Sequence, residues 1–191
     1  MNIGLVVEDQ DDVETYPVLV RRIRADVGHV FPRNCHGLRN LKYKLSGYVN
    51  EFALRPDLQL GLVLVIRDSD CDVPGPLENQ LRERLGQSRR NLGFPVGFYA
   101  TRCKLETWLI ADAGAINRVA QRRGKTQTVA PVNVALENHR DADTTLSRLL
   151  WSVGLPAVPR VYAEIAQEID LDCLRRRCPY FREFCARVRG T

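Results

Sequence analysis

The strongest constraint on the fold is an uninterrupted apolar run at residues 60–66, LGLVLVI. A strand that is apolar on both faces needs cover on both faces, so this run predicts a central strand of a parallel sheet. Shorter runs at 3–7 (IGLVV) and 95–101 (PVGFYAT) predict two more strands. The segment HVFPRNC predicts a fourth strand at an edge of the sheet, because Pro32 lacks the N–H that a central strand would use.

Segments with apolar residues every three or four positions separate these strands and predict amphipathic helices. The first runs from about Val13 to Val27, with Asp11 or Asp12 as its cap and Pro17 in or near its first turn. The second lies around 38–52, and the third spans about 76–90. Parallel strands need crossover connections, so this alternation predicts an α/β fold with a mainly parallel sheet flanked by helices.

From about residue 105 onward the pattern is helical. We therefore expect an α/β core over 1–112 and a helical C-terminal extension over 113–191, packed on the core as one compact domain.

The net charge of +5 and the pI near 9.0 are compatible with a polyanionic partner. The chain lacks an N-terminal signal and a long apolar stretch, so we expect a cytoplasmic protein without membrane contact. Its six cysteines show no Cys-x-x-Cys pair and are expected to be free thiols.

Acidic residues follow two of the predicted strands directly. Glu8 comes after the first strand, with Asp12 four residues later, and Asp68 and Asp70 come after the central strand. Because the carboxyl ends of parallel strands meet at one edge of the sheet, these carboxylates are expected to converge there. A hard divalent cation such as Mg²⁺ or Mn²⁺ would relieve their repulsion. Taken singly, an acid of these two segments is better explained as a helix cap or a solvated loop residue, which applies to Asp9, Asp11, Asp12 and Asp72; Glu8, Asp68 and Asp70 taken together favour a metal site.

Two further charged residues follow the fourth strand. Glu106 can join a metal site and Lys104 can neutralise phosphate charge. Glu106 can equally cap its helix or pair with an arginine.

The stretches VVEDQDDVE and VIRDSD resemble the two acidic motifs of the Toprim domain, and the Glu8–Asp12 spacing resembles that of the OLD-family nucleases. The stretches CKLETWLIAD, ALENHRDADTTLSRLL and LDCLRRRCPYFREFCARVRG extend a resemblance to a Toprim-like bacterial family of unknown function, the DUF4276 type, over nearly the whole chain. The family usually has glycine after the first glutamate, where this chain has Asp9.

The resemblance implies a Toprim/Rossmann-like fold and a Mg²⁺- or Mn²⁺-dependent nuclease that acts on DNA or RNA in antiviral defence. It implies that Asp68 and Asp70 hold the ion, that Asp12 binds a second ion, and that Glu8 is an ion ligand or a general acid or base. It also implies a separately encoded ATPase as partner, and the chain itself has no phosphate-binding loop for ATP. The alternative is a non-catalytic Toprim-like subunit that binds an ATPase or nucleic acid. A homo-oligomer is left open.

Three dense basic groups are candidates for phosphate contacts, although such groups are usually solvated helix faces. Sequence alone does not select among them. They are Arg82, Arg84, Arg89 and Arg90; Arg118, Arg122, Arg123 and Lys125; and Arg175, Arg176 and Arg177.

Overall fold

The computed structural model of the protein describes residues 1–86 and 92–190, and its centre is a four-stranded sheet. All neighbouring strands are parallel, in the order β2-β1-β3-β4. This confirms the predicted mainly parallel sheet, and Pro32 lies in an edge strand as expected. The strands are β1 (Asn2–Val7), β2 (Val30–Asn34), β3 (Leu60–Asp68) and β4 (Val96–Thr101).

Helices connect the strands and make up the C-terminal part, so the α/β class is confirmed. Short 3₁₀ turns lie at Pro56–Leu58 and Leu136–Asn138. The last residues of the predicted third helix, including Arg89 and Arg90, lie outside the described residues. The helices are α1 (Gln10–Ile23), α2 (Leu38–Ala53), α3 (Pro74–Gly86), α4 (Leu105–Leu109), α5 (Ala113–Arg122), α6 (Ala142–Ser152), α7 (Pro159–Glu168), α8 (Leu171–Arg177) and α9 (Pro179–Arg189).

Each face of the sheet has its own apolar cluster, because alternate side chains of a strand point to opposite faces. On one face, Leu64 and Ile66 of β3 belong to a large cluster that takes residues from α1 and from the C-terminal helices. On the other face, Val63 and Val65 belong to a smaller cluster with residues of α2 and α3. The large cluster draws on both 1–112 and 113–191. The division of the chain at residue 112 stays a prediction.

The N-terminus of α1 differs from the sequence prediction. Asp9 is the N-cap residue, and its Oδ1 accepts a hydrogen bond from the Asp12 backbone N–H at 3.2 Å. The helix therefore begins before Asp11, and Pro17 lies in its interior instead of its first turn.

None of the helices described in residues 1–86 and 92–190 has the length and apolar character that a membrane span requires.

Candidate functional site

The strand order places a topological switch point between β1 and β3. From β1 the chain crosses to β2 on one side, and from β2 it crosses to β3 on the other side of β1. In open parallel sheets, ligands bind in the crevice beyond the carboxyl ends of the strands at such a point. Glu8 follows β1 and Asp68 ends β3, so both acidic motifs lie at this crevice.

The side chain of Glu8 is directed toward the end of β3. Its Oε1 accepts a hydrogen bond from the Asp68 backbone N–H at 3.1 Å and lies 3.9 Å from Nε of Arg67. Burial raises the pKa of Glu8 to about 7, although the Arg67 charge and the bond from Asp68 act in the opposite direction. A carboxyl group with this pKa can exchange a proton near neutral pH.

Asp12 lies in the first turn of α1 and takes part in a capping box. Its Oδ2 accepts hydrogen bonds from the backbone N–H groups of Glu8 and Asp9, at 3.1 and 3.3 Å. The carboxylate is buried, and burial together with the charges of Asp9 and Glu8 raises its pKa well above the usual range. The Glu-x-x-x-Asp spacing thus has a structural role, because Asp12 joins the end of β1 to the start of α1. The lone pairs of Asp12 that these bonds do not use could still bind an ion.

Four carboxyl groups interact electrostatically at this edge, and we call Glu8, Asp12, Asp68 and Glu106 the acidic cluster. Burial raises the pKa of Asp68 well above its usual range, and the charges of the other three members raise it further. Burial also raises the pKa of Glu106 to about 7. Among the described residues no arginine forms an ion pair with Glu106, and α4 begins after Lys104. Glu106 is therefore neither the N-cap residue nor paired with an arginine, although its carboxylate accepts a backbone hydrogen bond in the first turn of α4.

Asp70 lies at the rim of the acidic cluster. It is exposed, and its charge contributes to raising the pKa of Glu8.

The backbone of Asp70 is left-handed, as is that of Cys71, with φ of 50° and 70°. This turn brings Cys71 to Cys103, and the two are joined by a disulfide. The expectation of six free thiols is therefore wrong for this pair, because the loops that follow β3 and β4 lie side by side.

Lys104 lies beside the acidic cluster but is engaged by another carboxylate. Its Nζ donates to Oδ2 of Asp143 at 2.8 Å. This bond raises the pKa of Lys104, and the charges of Asp70 and Glu106 add to the effect. The ammonium group is therefore charged and close to the cluster, as a phosphate-neutralising residue must be.

The donor set suits a hard divalent cation, because carboxylate oxygens are the ligands that Mg²⁺ and Mn²⁺ prefer. The side chains are not, however, in a chelating arrangement. In the part of the chain that the structure describes, no group of three or more His, Cys, Asp or Glu residues is disposed to hold a metal ion.

Sequence reasoning missed two charged residues at this site. Arg67 is buried, with 6% of its surface exposed, and its Nε donates to the Asp68 carbonyl at 3.0 Å. The sequence signal that could have identified Arg67 is its charge near the end of an otherwise apolar strand. Asp143, the partner of Lys104, is separated from it by 39 positions in the chain and gave no local signal.

The departure from the family pattern at Asp9 has a simple structural outcome. Asp9 has extended backbone, with φ of −141°, so this position does not need the conformational freedom of glycine. Its carboxylate caps α1 instead.

Comparison with known proteins gives a family for the chain. No curated protein matches it significantly. It is similar to a solved structure, the C-terminal region of the Burkholderia pseudomallei OLD protein, at 16% identity and a TM-score of 0.42, over 96% of this chain and 98% of the other. The model of a domain of unknown function, DUF4276, matches residues 8–189. This confirms the resemblance to that family, and the chain belongs to the DUF4276 family.

Proposed function

We propose that the protein is a Mg²⁺- or Mn²⁺-dependent nuclease that hydrolyses phosphodiester bonds of DNA or RNA. The observation that carries the proposal is the acidic cluster at the switch point of the sheet. Four carboxyl groups held in partial burial, with raised pKa values, are costly for stability unless a cation or a proton compensates them. Such clusters are typical of functional sites.

In this proposal Asp68 and Asp70 hold the ion, and Asp12 contributes to a second ion. A bound divalent cation would supply an activated water and neutralise charge on the phosphate. In the proposed mechanism Glu8 and Glu106, each with a pKa of about 7, accept the proton of the attacking water or return one to the leaving oxygen. Glu8 acts as an ion ligand if its carboxylate moves away from Arg67, and as the general base if it stays beside Arg67.

Lys104 is proposed to contact the substrate phosphate. To do so, its Nζ exchanges the Asp143 carboxylate for a phosphate oxygen, and Asp143 is half exposed and can be solvated when released. Both partners are charged, so the exchange replaces one charge-assisted hydrogen bond with another.

The expected partners are also proposals. Nucleic acid fits the positive net charge of the chain. A separately encoded ATPase and a cytoplasmic role in antiviral defence rest on the Toprim-like resemblance of the sequence.

A second candidate function is a non-catalytic subunit that binds an ATPase or nucleic acid. The observation that favours it is that two carboxylates already accept hydrogen bonds from the backbone: Glu8 from the Asp68 N–H, and Asp12 from the N–H groups of Glu8 and Asp9. In that case the acidic cluster serves the local structure around β1 and α1 or an interface, and binds no ion.

Cleavage assays on matched variants decide between the two functions. The full chain is incubated with plasmid, single-stranded DNA and RNA in Mn²⁺ or Mg²⁺, with and without the proposed ATPase partner. We expect cleavage by the wild type and a loss of at least about 100-fold in Asp68→Asn, because removing a ligand of a catalytic ion abolishes the activated water.

The control is Asp72→Asn, an exposed aspartate in the same loop that the mechanism does not use. It should keep wild-type activity. Nucleic-acid or ATPase binding without cleavage under any of these conditions, with Asp68→Asn behaving as wild type, would support the non-catalytic function instead.

A further inference from the structure

A cleft of about 380 Å³ lies between α2 and α3, on the face of the sheet opposite the acidic cluster. It is lined by three cationic side chains, Lys42, Arg67 and Arg84, and by the single carboxylate of Glu83. Its volume falls in the range of small-ligand sites. The formal charge of these four side chains is positive, so the cleft favours an anion.

Arg67 forms the buried base of the cleft. Its Nε is used inward, donating to the Asp68 carbonyl, and the guanidinium is 3.9 Å from Glu8. Its two terminal nitrogens have no hydrogen-bond acceptor among the residues that the structure describes. A buried guanidinium with free donors in a polar cleft is a strong site for a phosphate group, whose oxygens match its planar fork.

The two cations at the mouth of the cleft are also available. Lys42 and Arg84 are exposed, and neither forms an ion pair with a described carboxylate. Most members of the other two basic groups of the sequence differ in this respect. Arg122 and Arg123 pair with Glu168 and Glu164, and Arg175 pairs with Asp172; Arg118 also pairs with Glu168, and Arg176 lies 4.0 Å from Asp170.

An aromatic ring contacts Arg84, one of the cations that line the cleft. Tyr43 is 70% exposed, and the guanidinium of Arg84 lies over its ring at 5.5 Å. Exposed aromatic rings next to basic residues are the usual platform for a nucleic-acid base beside its phosphate.

From these contacts we infer that the cleft formed by Lys42, Arg67 and Arg84 is a phosphate-binding site, and that the phosphate belongs to a nucleic-acid strand. The second part rests on the proposed nuclease function, and the first part does not. Through Arg67, which touches both the cleft and Glu8, the strand would run from the cleft to the acidic cluster around the end of β3.

Binding measurements without divalent cations test this site separately from catalysis. A fluorescent single-stranded oligonucleotide is titrated with the protein in EDTA, and inorganic phosphate is then added as competitor. We expect Lys42→Ala and Arg84→Ala each to weaken binding by about fivefold to tenfold at low salt and to lower the slope against salt concentration by about one. We expect Glu83→Gln to tighten binding, because it removes the negative charge from the cleft.

The matched controls are Lys125→Ala and Arg160→Ala, exposed cations that line a different cleft near α5 and α7. They should bind as the wild type does. If the oligonucleotide binds through Lys42 and Arg84 and phosphate competes with it, the bound phosphate belongs to a nucleic-acid strand, as inferred. If inorganic phosphate binds through them and the oligonucleotide does not, the site holds a free phosphate and the second part of the inference is wrong. Equal losses in the control variants, or no effect of Lys42→Ala and Arg84→Ala on either probe, would overturn the inference. A failure of the protein to cleave nucleic acid would not overturn the inference, because binding is measured in EDTA and does not depend on metal-dependent cleavage.

Discussion

Glu106, in the first turn of α4, is a member of the acidic cluster that titrates near neutral pH. Its pKa of about 7 lies above the usual value because burial disfavours the charged carboxylate. A raised carboxyl pKa means that the folded protein holds a proton that the unfolded chain has released. The associated stability is fully present below about pH 4.5 and is lost as pH rises through about 7.

We predict that Glu106→Gln makes the metal-free protein less sensitive to pH. Between pH 5 and pH 8 in EDTA, the free energy of unfolding should fall by about 1 to 2 kcal/mol less than in the wild type, since partial exposure screens part of the effect. Urea denaturation at both pH values measures this difference. Glu83→Gln, which removes an exposed glutamate outside the cluster, should follow the wild type; parallel curves for Glu106→Gln and wild type would contradict the prediction.

At the scale of single residues, the sequence indicated which strand ends carry acids but not how each acid is used. Glu8 and Asp68 follow strands in a parallel arrangement, and their nearness follows from that geometry. Glu8 bonds inward to the Asp68 N–H, and Arg67 lies 3.9 Å from it, on the face of the sheet that α2 and α3 cover. The pairing of Lys104 with Asp143 depends on where α6 packs, which local pattern does not encode.

At the scale of elements, the start of α1 shows why boundaries are hard to predict. Four acidic residues lie within positions 8–12, and each is a chemically suitable cap. The structure selects Asp9, because the side chain of Asp12 then reaches back to the N–H groups of Glu8 and Asp9. The strands and the order of helices were easier to predict, since apolar runs and helical periodicity are long signals.

Substitutions at Asp9 measure the capping box directly. We expect Asp9→Ala to be about 1 kcal/mol less stable than Asp9→Asn, because asparagine keeps the cap and both variants lose the same charge. Asp9→Gly, which introduces the usual residue of the family, should lie between the two. Thermal or urea unfolding at one pH provides the comparison, and equal stability of the alanine and asparagine variants would show that Asp9 does not cap the helix.

At the scale of the whole molecule, the alternation of strands and helices was enough to predict a parallel sheet with two covered faces. The strand order was not predictable from the alternation, because it depends on which side of β1 each crossover takes. The same limit applies to the disulfide. Cys71 and Cys103 are 32 positions apart and meet only because β3 and β4 are neighbours.

The disulfide joins the loop that carries Asp70 to the loop that precedes Lys104, so it ties two parts of the candidate site together. We predict that alkylation of the unfolded, unreduced protein labels Cys35, Cys173, Cys178 and Cys185. Mass spectrometry should find Cys71 and Cys103 in one linked peptide. Reduction should lower the free energy of unfolding by about 3.7 kcal/mol, the loss expected when a cross-link that closes a loop of this length is removed from the unfolded chain. Labelling of all cysteines before reduction would contradict the bond.

The most direct test of the account is a Mn²⁺ titration followed by thermal unfolding at pH 8. If the acidic cluster holds a divalent cation, the wild type should gain about 2.7 kcal/mol of stability at a concentration 100 times Kd, as ligand linkage requires. Asp72→Asn should gain the same amount, and Asp68→Asn combined with Asp70→Asn should gain none. An unchanged melting temperature of the wild type, or an equal gain in the double variant, would contradict the claim that these carboxylates form a metal site.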